Sequence, residues 1–490
     1  MSDIEVPVLI VGGSLVGMSA ALLLAQHGVR ALAVEYHRGT AIHPRAAQIS
    51  QRTMEIFRTV GVEQIVRKKS GQQFVQDGAI MAVETLAGKE LTYFISNLNE
   101  GVRDVSPTER IFISQSLLEP LLKSRAEELG AQLRFATELI AFDQDADGIS
   151  ATLRQRDSGQ TEKVRAQYMI AADGAHSRVR ERLGIGMSGR GAFSNSVTIY
   201  FRANVAPLLR GRNLSVIYVN NATLRGFFRF EKPFDSGFLA INALGDPKDP
   251  VTDVATGLTE ERCIELVRIA LGSESIPITI ESLMPWKAAA EVADRFQSGR
   301  IFLAGDSAHI MPPNGGFGGN TGVQDAHNLA WKLASILKGK PDRELLDTYE
   351  RERRPVAQFT VEQAYSRYVT RTAPYLGTLD IQPVESDLNV ELGYCYEGAP
   401  HENPRESKAR PGSRAPHCWV EHKGERISTL DLFGKNWTWL AGPEGSRWRE
   451  QAGGADFHII RDEGFCDAYG IGSSGAVLVR PDGFVARKIG

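Results

Sequence analysis

Apolar residues recur along this chain in two rhythms, and the switch between them marks its elements. VPVLIV at 6–11 is a continuous apolar run ending at a glycine turn, and LVGMSAALLLAQ at 15–26 is apolar almost all round. A buried strand that feeds a buried helix is expected there. VRALAVEYH at 29–37 reads as a second apolar strand, ending at Glu35. YMIAADG at 168–174 and RIFLAGD at 300–306 are further short apolar strands, each closing on an acid beside a glycine. Between 183 and 284 the rhythm changes: NSVTIYFRANV, LSVIYVN, LRGFFRF and GFLAINALG alternate with a period near two. That is the pattern of an antiparallel sheet covered on one face. A helix is expected from about 260 to 271, and long helices from the glycine loop at 315–319 to about 372.

These rhythms predict an α/β chain with a Rossmann-like lobe built from 1–70, 106–182 and 285–372. An antiparallel-sheet domain from 71–105 and 183–284 is interleaved with it. Pro- and charge-rich sequence near 399–416 marks a linker region over 373–416, and a last domain over 417–490 alternates strand and helix signals.

Composition narrows the class. With 490 residues the chain can bury two or three substantial cores. A net charge of −3 gives no field to draw nucleic acid or an anionic membrane. The cysteines at 263, 395, 418 and 466 form neither a C-x-x-C pair nor a metal-ligand spacing, so reduced thiols in a cytoplasmic protein without a metal site are expected. The first apolar run follows acidic residues and is interrupted by Gly12, Gly13, Ser14 and Gly17, which speaks against a membrane span or signal peptide.

Candidate chemistry sits where strands end. In the first segment Gly12 permits a tight turn, Gly17 lets helix and strand pack closely, and Glu35 stands where a carboxylate meets ribose hydroxyls. The middle glycine of that fingerprint is replaced by Ser14. The second segment, 168–184, carries Asp173, Ser177, Arg178 and Arg180 at a strand-to-helix junction. The third, RIFLAGDSAHIMPPNGGFGGN at 300–320, joins a strand, Asp306, the corner Pro312-Pro313 and a glycine loop that opens a helix. Unpaired N–H groups and the helix dipole make such a terminus a site for an anionic ligand.

All three segments, in this order, resemble the signature of class A flavoprotein monooxygenases, the p-hydroxybenzoate hydroxylase-like family. HPRAAQISQRTMEIFRTVGV at 43–62, ISQSLLEPLLKSRAEELG at 113–130 and LLDTYERERRPVA at 345–357 extend the resemblance. LDLFGKNWTWLAGP and GAVLVRPDGFVA, near the end, resemble the branch that hydroxylates aromatic polyketides used in antibiotic biosynthesis. That branch implies a thioredoxin-like α/β domain at 417–490, here without C-x-x-C, and makes the lobe an FAD-binding domain. Family members commonly carry an aromatic residue after the alanine of VARKIG, so an altered or truncated end is expected.

The resemblance implies FAD as the held cofactor and NADPH or NADH as a transient reductant. The backbone of Ser14 and Leu15 would meet the pyrophosphate and Glu35 the ribose, with Arg45 and Ala46 beside the flavin and Gln115 on the FAD chain. Asp306 would take the ribityl hydroxyls, and the backbone of Gly318, Gly319 and Asn320 would face the flavin ring. Asp173 would order the loop near the pyrophosphate, while Arg45 and Pro313 stand closest to the chemistry. Phe227, Arg229, Asn242 and Trp286 are the candidate substrate contacts. The implied reaction is hydroxylation of a phenolic or polycyclic, polyketide-like aromatic by O2 through a C4a-hydroperoxyflavin. Two alternatives stay open: a Baeyer-Villiger or epoxidising monooxygenase of the same fold, and a flavin reductase or non-catalytic flavoprotein. Oligomeric state is open, and a homodimer is compatible with the sequence.

Overall fold

The computed structural model describes residues 4–42, 48–246, 248–339, 344–398 and 401–490. Strand Ile4–Val11 runs through the middle of the first sheet, parallel to Ala31–Val34 on one side and Thr161–Ala171 on the other. Gln132–Arg134 and Ile301–Leu303 extend this parallel core at its two flanks. Val8, Leu9 and Ile10 are wholly buried, as expected for a parallel strand covered on both faces. Helix Leu15–Gln26 buries Met18, Ala20, Ala21 and Leu24 completely, so its apolar surface finds partners all round. One of those partners is helix Phe317–Leu337: a Cβ on Gly322 would lie 2.5 Å from Cγ2 of Val16.

The second sheet has eight strands, all antiparallel to their neighbours except Ala79–Val83 beside Leu214–Asn220. Helix Glu260–Leu271 covers one face with Cys263, Leu266, Val267, Ala270 and Leu271. Val197, Ile199 and Phe201 of strand Met187–Arg202 belong to that core, so Thr198 and Tyr200 point to the opposite face.

Strand Thr279–Ala293 pairs with 187–202 along almost its whole length and receives His309–Ile310 on its other edge. The sheet therefore continues past the expected boundary at 284, because the backbone ladder persists into the lobe that follows. It also carries the chain to the Pro312-Pro313 corner. Within the segment expected as a linker, described residues pack against the lobe. Helix Asp387–Leu392 buries Leu388, Val390 and Leu392, and Asp387 pairs with Arg367 at 2.7 Å.

The C-terminal region forms a mixed four-stranded sheet in the order Asp456–Ile459, Thr438–Ala441, Ala476–Val479, Val485–Ile489. It docks on the first lobe through buried ion pairs, among them Arg414 with Glu55 at 2.6 Å. Among the described residues no helix is long and apolar enough to cross a membrane, and no cluster of His, Cys, Asp or Glu is arranged to hold a metal ion.

Candidate active site

Two cavities meet at Asp306, which lines both. The larger, 1220 Å³, runs along the ends of the parallel strands and is lined by Gly12, Gly13, Ser14, Glu35, Gln115 and Asp173. The smaller, 460 Å³, lies between the open face of the antiparallel sheet and the start of helix 317–337.

The glycine turn builds the floor of the larger cavity. Gly12 has φ +104°, and a Cβ there would sit 2.1 Å from the carbonyl oxygen of Ala172. Gly17 lines neither cavity; a Cβ on it would lie 1.8 Å from the carbonyl oxygen of Gly12, so its role is to let helix and turn touch. Ser14 begins helix 15–26 without capping it. Its hydroxyl instead donates to Glu119 at 2.6 Å, and Gln115 Nε2 donates to both Ser14 Oγ and Glu119 Oε1 at 2.6 Å. The first-turn N–H groups thus lack a side-chain cap at the cavity wall, which suits a diphosphate. Glu35 Oε2 accepts the N–H of Gly13 at 2.6 Å and Oε1 accepts that of His37 at 2.8 Å, fixing the carboxylate at the strand end. Asp173 accepts from Ser177 Oγ at 2.5 Å and from Val179 N at 3.2 Å, yet burial still holds its carboxyl above the usual range.

The smaller cavity has two unlike walls. One is made of backbone: Pro312, Pro313, Gly316 and the turn Gly318 to Asn320. Helix 317–337 starts at Gly316, φ +68°, again with no side-chain cap. Asn320 ties this turn down, accepting from Ser50 N at 2.9 Å and donating to Gln48 O and Gly316 O. The carbonyl of Pro313 accepts the N–H of Gly316 at 2.9 Å, so it closes the loop rather than standing free. Behind the loop, wholly buried His309 bonds Asp325 at 2.7 Å, and Asp325 also receives Gly305 N and Arg353 Nε.

The other wall is side chains from the sheet: Thr198, Tyr200, Tyr218, Phe227, Arg229, Phe238 and Trp286. Trp286 Nε1 donates to Thr198 Oγ1 at 3.0 Å. Asn314, almost fully buried, donates through Nδ2 to Tyr218 Oη at 3.1 Å and to Thr372 Oγ1 at 3.2 Å. Arg229 is buried against the ring of Phe112, 4.2 Å from its centroid, and burial lowers its pKa to about 10.

The structure gathers the expected residues unevenly. Gly12, Ser14, Glu35, Gln115, Asp173 and Asp306 share the larger cavity, and Leu15, Pro313, Gly318, Gly319, Asn320, Phe227, Arg229 and Trp286 share the smaller with Asp306. Asn242 reaches neither. It is the extra residue of a β-bulge between the pairs Arg225↔Ala243 and Gly226↔Ile241, and its side chain donates to Ser196 at 3.1 Å. Arg45 and Ala46 lie outside the described residues. Sequence reasoning missed Tyr200, Tyr218, Asn314 and Arg371, which line the smaller cavity. Tyr218 shares a strand face with Val216 in LSVIYVN, but alternation alone does not say which face meets the ligand.

Such an arrangement can hold an extended dinucleotide, its diphosphate at the glycine turn and its ring system in the smaller cavity beside an aromatic guest. Comparisons with known proteins agree. Residues 5–364 match the model of the FAD binding domain, and 408–488 match that of the aromatic-ring hydroxylase C-terminal domain. The chain is 50% identical to 4-methyl-5-nitrocatechol 5-monooxygenase from Burkholderia sp, covering 99% of this chain and 94% of that one. It is 37% identical to tetracenomycin A2 monooxygenase-dioxygenase from Streptomyces glaucescens, covering 99% and 94%. Among solved structures, a ternary complex of aklavinone-11 hydroxylase with FAD and aklavinone superposes with a TM-score of 0.91 at 35% identity, covering 100% of this chain and 96% of that one.

Proposed function

The chain belongs to the FAD-binding aromatic-ring hydroxylases, and from that premise we propose that it oxygenates a phenolic ring held in the 460 Å³ cavity, with NADPH or NADH as transient reductant. The names of its relatives run from a nitrocatechol to polyketides such as tetracenomycin. The shared denominator is an electron-rich aromatic ring.

The residues present fit FAD. Uncapped helix termini at Ser14 and Gly316 offer N–H groups to the diphosphate and to the electron-rich edge of the flavin ring. In this reading Glu35 would meet the adenosine ribose and Asp306 the ribityl chain, with Gln115 and Asp173 around the diphosphate; a role for Arg45, outside the described residues, rests on the resemblance alone. When bound, FAD supplies the redox and oxygen-transfer chemistry.

The chain's own part is placement and exclusion. Pro312 and Pro313 form a wall that presents no N–H and whose loop is locked by the Gly316 bond. Such a wall keeps water away from the reacting atoms. Phe227 and Trp286 offer faces to an aromatic guest. Tyr218 Oη accepts from Asn314, so its own proton is turned toward other partners, and a substrate oxygen in the cavity is one it can reach.

The observation that carries this reading is Asp306 at the junction of a dinucleotide-shaped cavity and an aromatic-lined one. The purified protein is expected to be yellow, to oxidise NADPH faster when a phenol is present, and to place heavy oxygen from 18O2 on the ring. A colourless protein that FAD cannot reconstitute, or reduction indifferent to every phenol, would refute it.

A further inference from the structure

Arg229 stands apart among the buried arginines: Arg180 and Arg225 also lack a carboxylate, but they donate to backbone carbonyls. Arg52, Arg110, Arg353, Arg367 and Arg414 are each buried against a carboxylate partner. Arg229 is also buried, with 9% of its surface left exposed, yet no carboxylate of the described residues is its ion-pair partner. Its Nε is buried without any hydrogen-bond partner. What it has are two aromatic faces, Phe112 at 4.2 Å and Phe74 at 5.7 Å. A buried guanidinium without an anion is costly, and cation–π contacts return only part of that cost. Arg229 lines the smaller cavity, where a guest would meet it.

The surroundings say what kind of guest. Tyr200, Tyr218, Asp306, Arg371 and Asp387 are the other titratable groups lining the cavity. Asp387 is already bound to Arg367 at 2.7 Å, and Arg371 lies over the ring of Phe94. Tyr218 stands on the strand beside Arg229, with its oxygen accepting from Asn314. A guanidinium and a phenolic O–H thus converge beside aromatic walls, a donor set matched to an oxyanion on a planar ring.

We propose that Arg229 is the specificity-determining anion site of this cavity, and that the preferred substrate is a phenol acidic enough to bind as its phenolate. This rests on the proposed aromatic hydroxylation. The phenol gives its proton to solvent on binding, Arg229 keeps its own, and the ring reaches the oxygen-transfer step already ionised. No protein base is then needed for that proton.

The test uses the FAD-loaded protein without reductant and 4-nitrocatechol as a chromophoric probe. It is run about one unit below the solution pKa of the probe, where the free probe is mostly neutral. The bound probe is expected to show the phenolate band, with its apparent pKa lowered in the complex. Arg229→Gln is expected to weaken phenolate binding at least about tenfold and to return the apparent pKa toward its solution value. Binding of the di-O-methylated analogue, which cannot ionise, should be changed far less, and Arg229→Lys should keep part of the effect.

A bound probe that stays neutral in the wild type, or a phenolate held equally well by Arg229→Gln, overturns the proposal. In that case phenol-stimulated NADPH oxidation still stands or falls separately, as the measure of the hydroxylase reading itself. A bound probe that stays neutral in the wild type refutes the proposal even if Arg229→Gln fails to fold, and Arg229→Lys, which keeps the charge, then serves to tie the band to this position.

Discussion

At Gly17 one methyl group decides whether helix 15–26 can touch the turn before it. The added Cβ would meet backbone, the Gly12 carbonyl oxygen at 1.8 Å, so no side-chain rotation relieves the clash. Gly17→Ala is expected to cost about 1–3 kcal/mol of stability by overpacking and to shift the diphosphate-facing N–H groups. The variant should purify with little FAD and a lowered Tm, read from the ratio of flavin to protein absorbance and a thermal melt; full flavin content at an unchanged Tm would contradict it. Tyr218 poses a subtler question, because Tyr218→Phe keeps the ring that packs edge-on to Phe94 and removes only the hydroxyl. We expect FAD content to be retained and kcat/KM for a phenol to fall about tenfold, corresponding to roughly 1.4 kcal/mol of lost transition-state stabilisation. Asn314→Ala should act in the same direction, since it frees the Tyr218 hydroxyl from the orientation the amide imposes. The two effects should combine less than additively in a double-mutant cycle, because they remove one interaction.

Helices 317–337 and 344–371 meet the C-terminal region at two buried carboxylates, Asp482, which accepts from Trp331, and Glu352. Glu352 receives Lys332 Nζ at 2.7 Å and Arg480 Nη1 and Nη2 at 2.7 and 2.9 Å. Burial pushes its carboxyl up, but Arg480 and Lys332 outweigh that and hold it at about 2 against an ordinary 4.5. A depressed carboxyl stabilises the fold above its unfolded pKa and loses that contribution as pH falls through the folded one. The relevant window is therefore about 4.5 down to about 2, and the loss is on the order of 3 kcal/mol. Lys332, which burial lowers to about 7, is protonated throughout that window and adds no slope of its own. Glu352→Gln should flatten the acid slope of Tm and cost on the order of 3 kcal/mol at neutral pH, since Arg480 keeps its pair with Asp482 and Lys332 can shed its proton. Melts across pH 2–7 check both. This element also shows what the sequence can and cannot reveal. The glycine turns, Glu35, Asp173 and Asp306 were legible because each lies within a few residues of the strand end that positions it. The sheet wall was not. Tyr218 meets Asn314 and Arg371 only because the strand order brings 214–220 beside 79–83 and in front of the helix 317–337 loop. At 399–416 proline and charge mark a linker, yet Arg414 within that stretch is a buried ion-pair partner of Glu55, a contact composition does not reveal.

Across the whole molecule those charges bind the C-terminal region to the lobe that carries the dinucleotide cavity. Arg414 reaches Glu55 at 2.6 Å, Arg58 reaches Asp431 at 2.5 Å, Arg52 donates to the carbonyl of Asp482 at 2.7 Å, and Trp331 meets Trp437 edge-on. Separating the two bodies would take Arg414 from buried Glu55 and Arg480 from buried Glu352, a larger penalty than an interdomain surface of ordinary polarity would carry. The C-terminal region is therefore expected to unfold with the lobe, not before it. Ligand linkage gives a direct test, because no residue of the C-terminal sheet lines either cavity proposed to hold FAD. FAD at about 100 times its Kd should stabilise the bound fold by about 2.7 kcal/mol. If the bodies are one cooperative unit, the flavin-release transition and the near-UV dichroism of the tryptophans should coincide and rise together as FAD is added. A tryptophan transition that comes first and ignores FAD would mean that the buried ion pairs do not couple the two, and that the C-terminal region is an independent attachment.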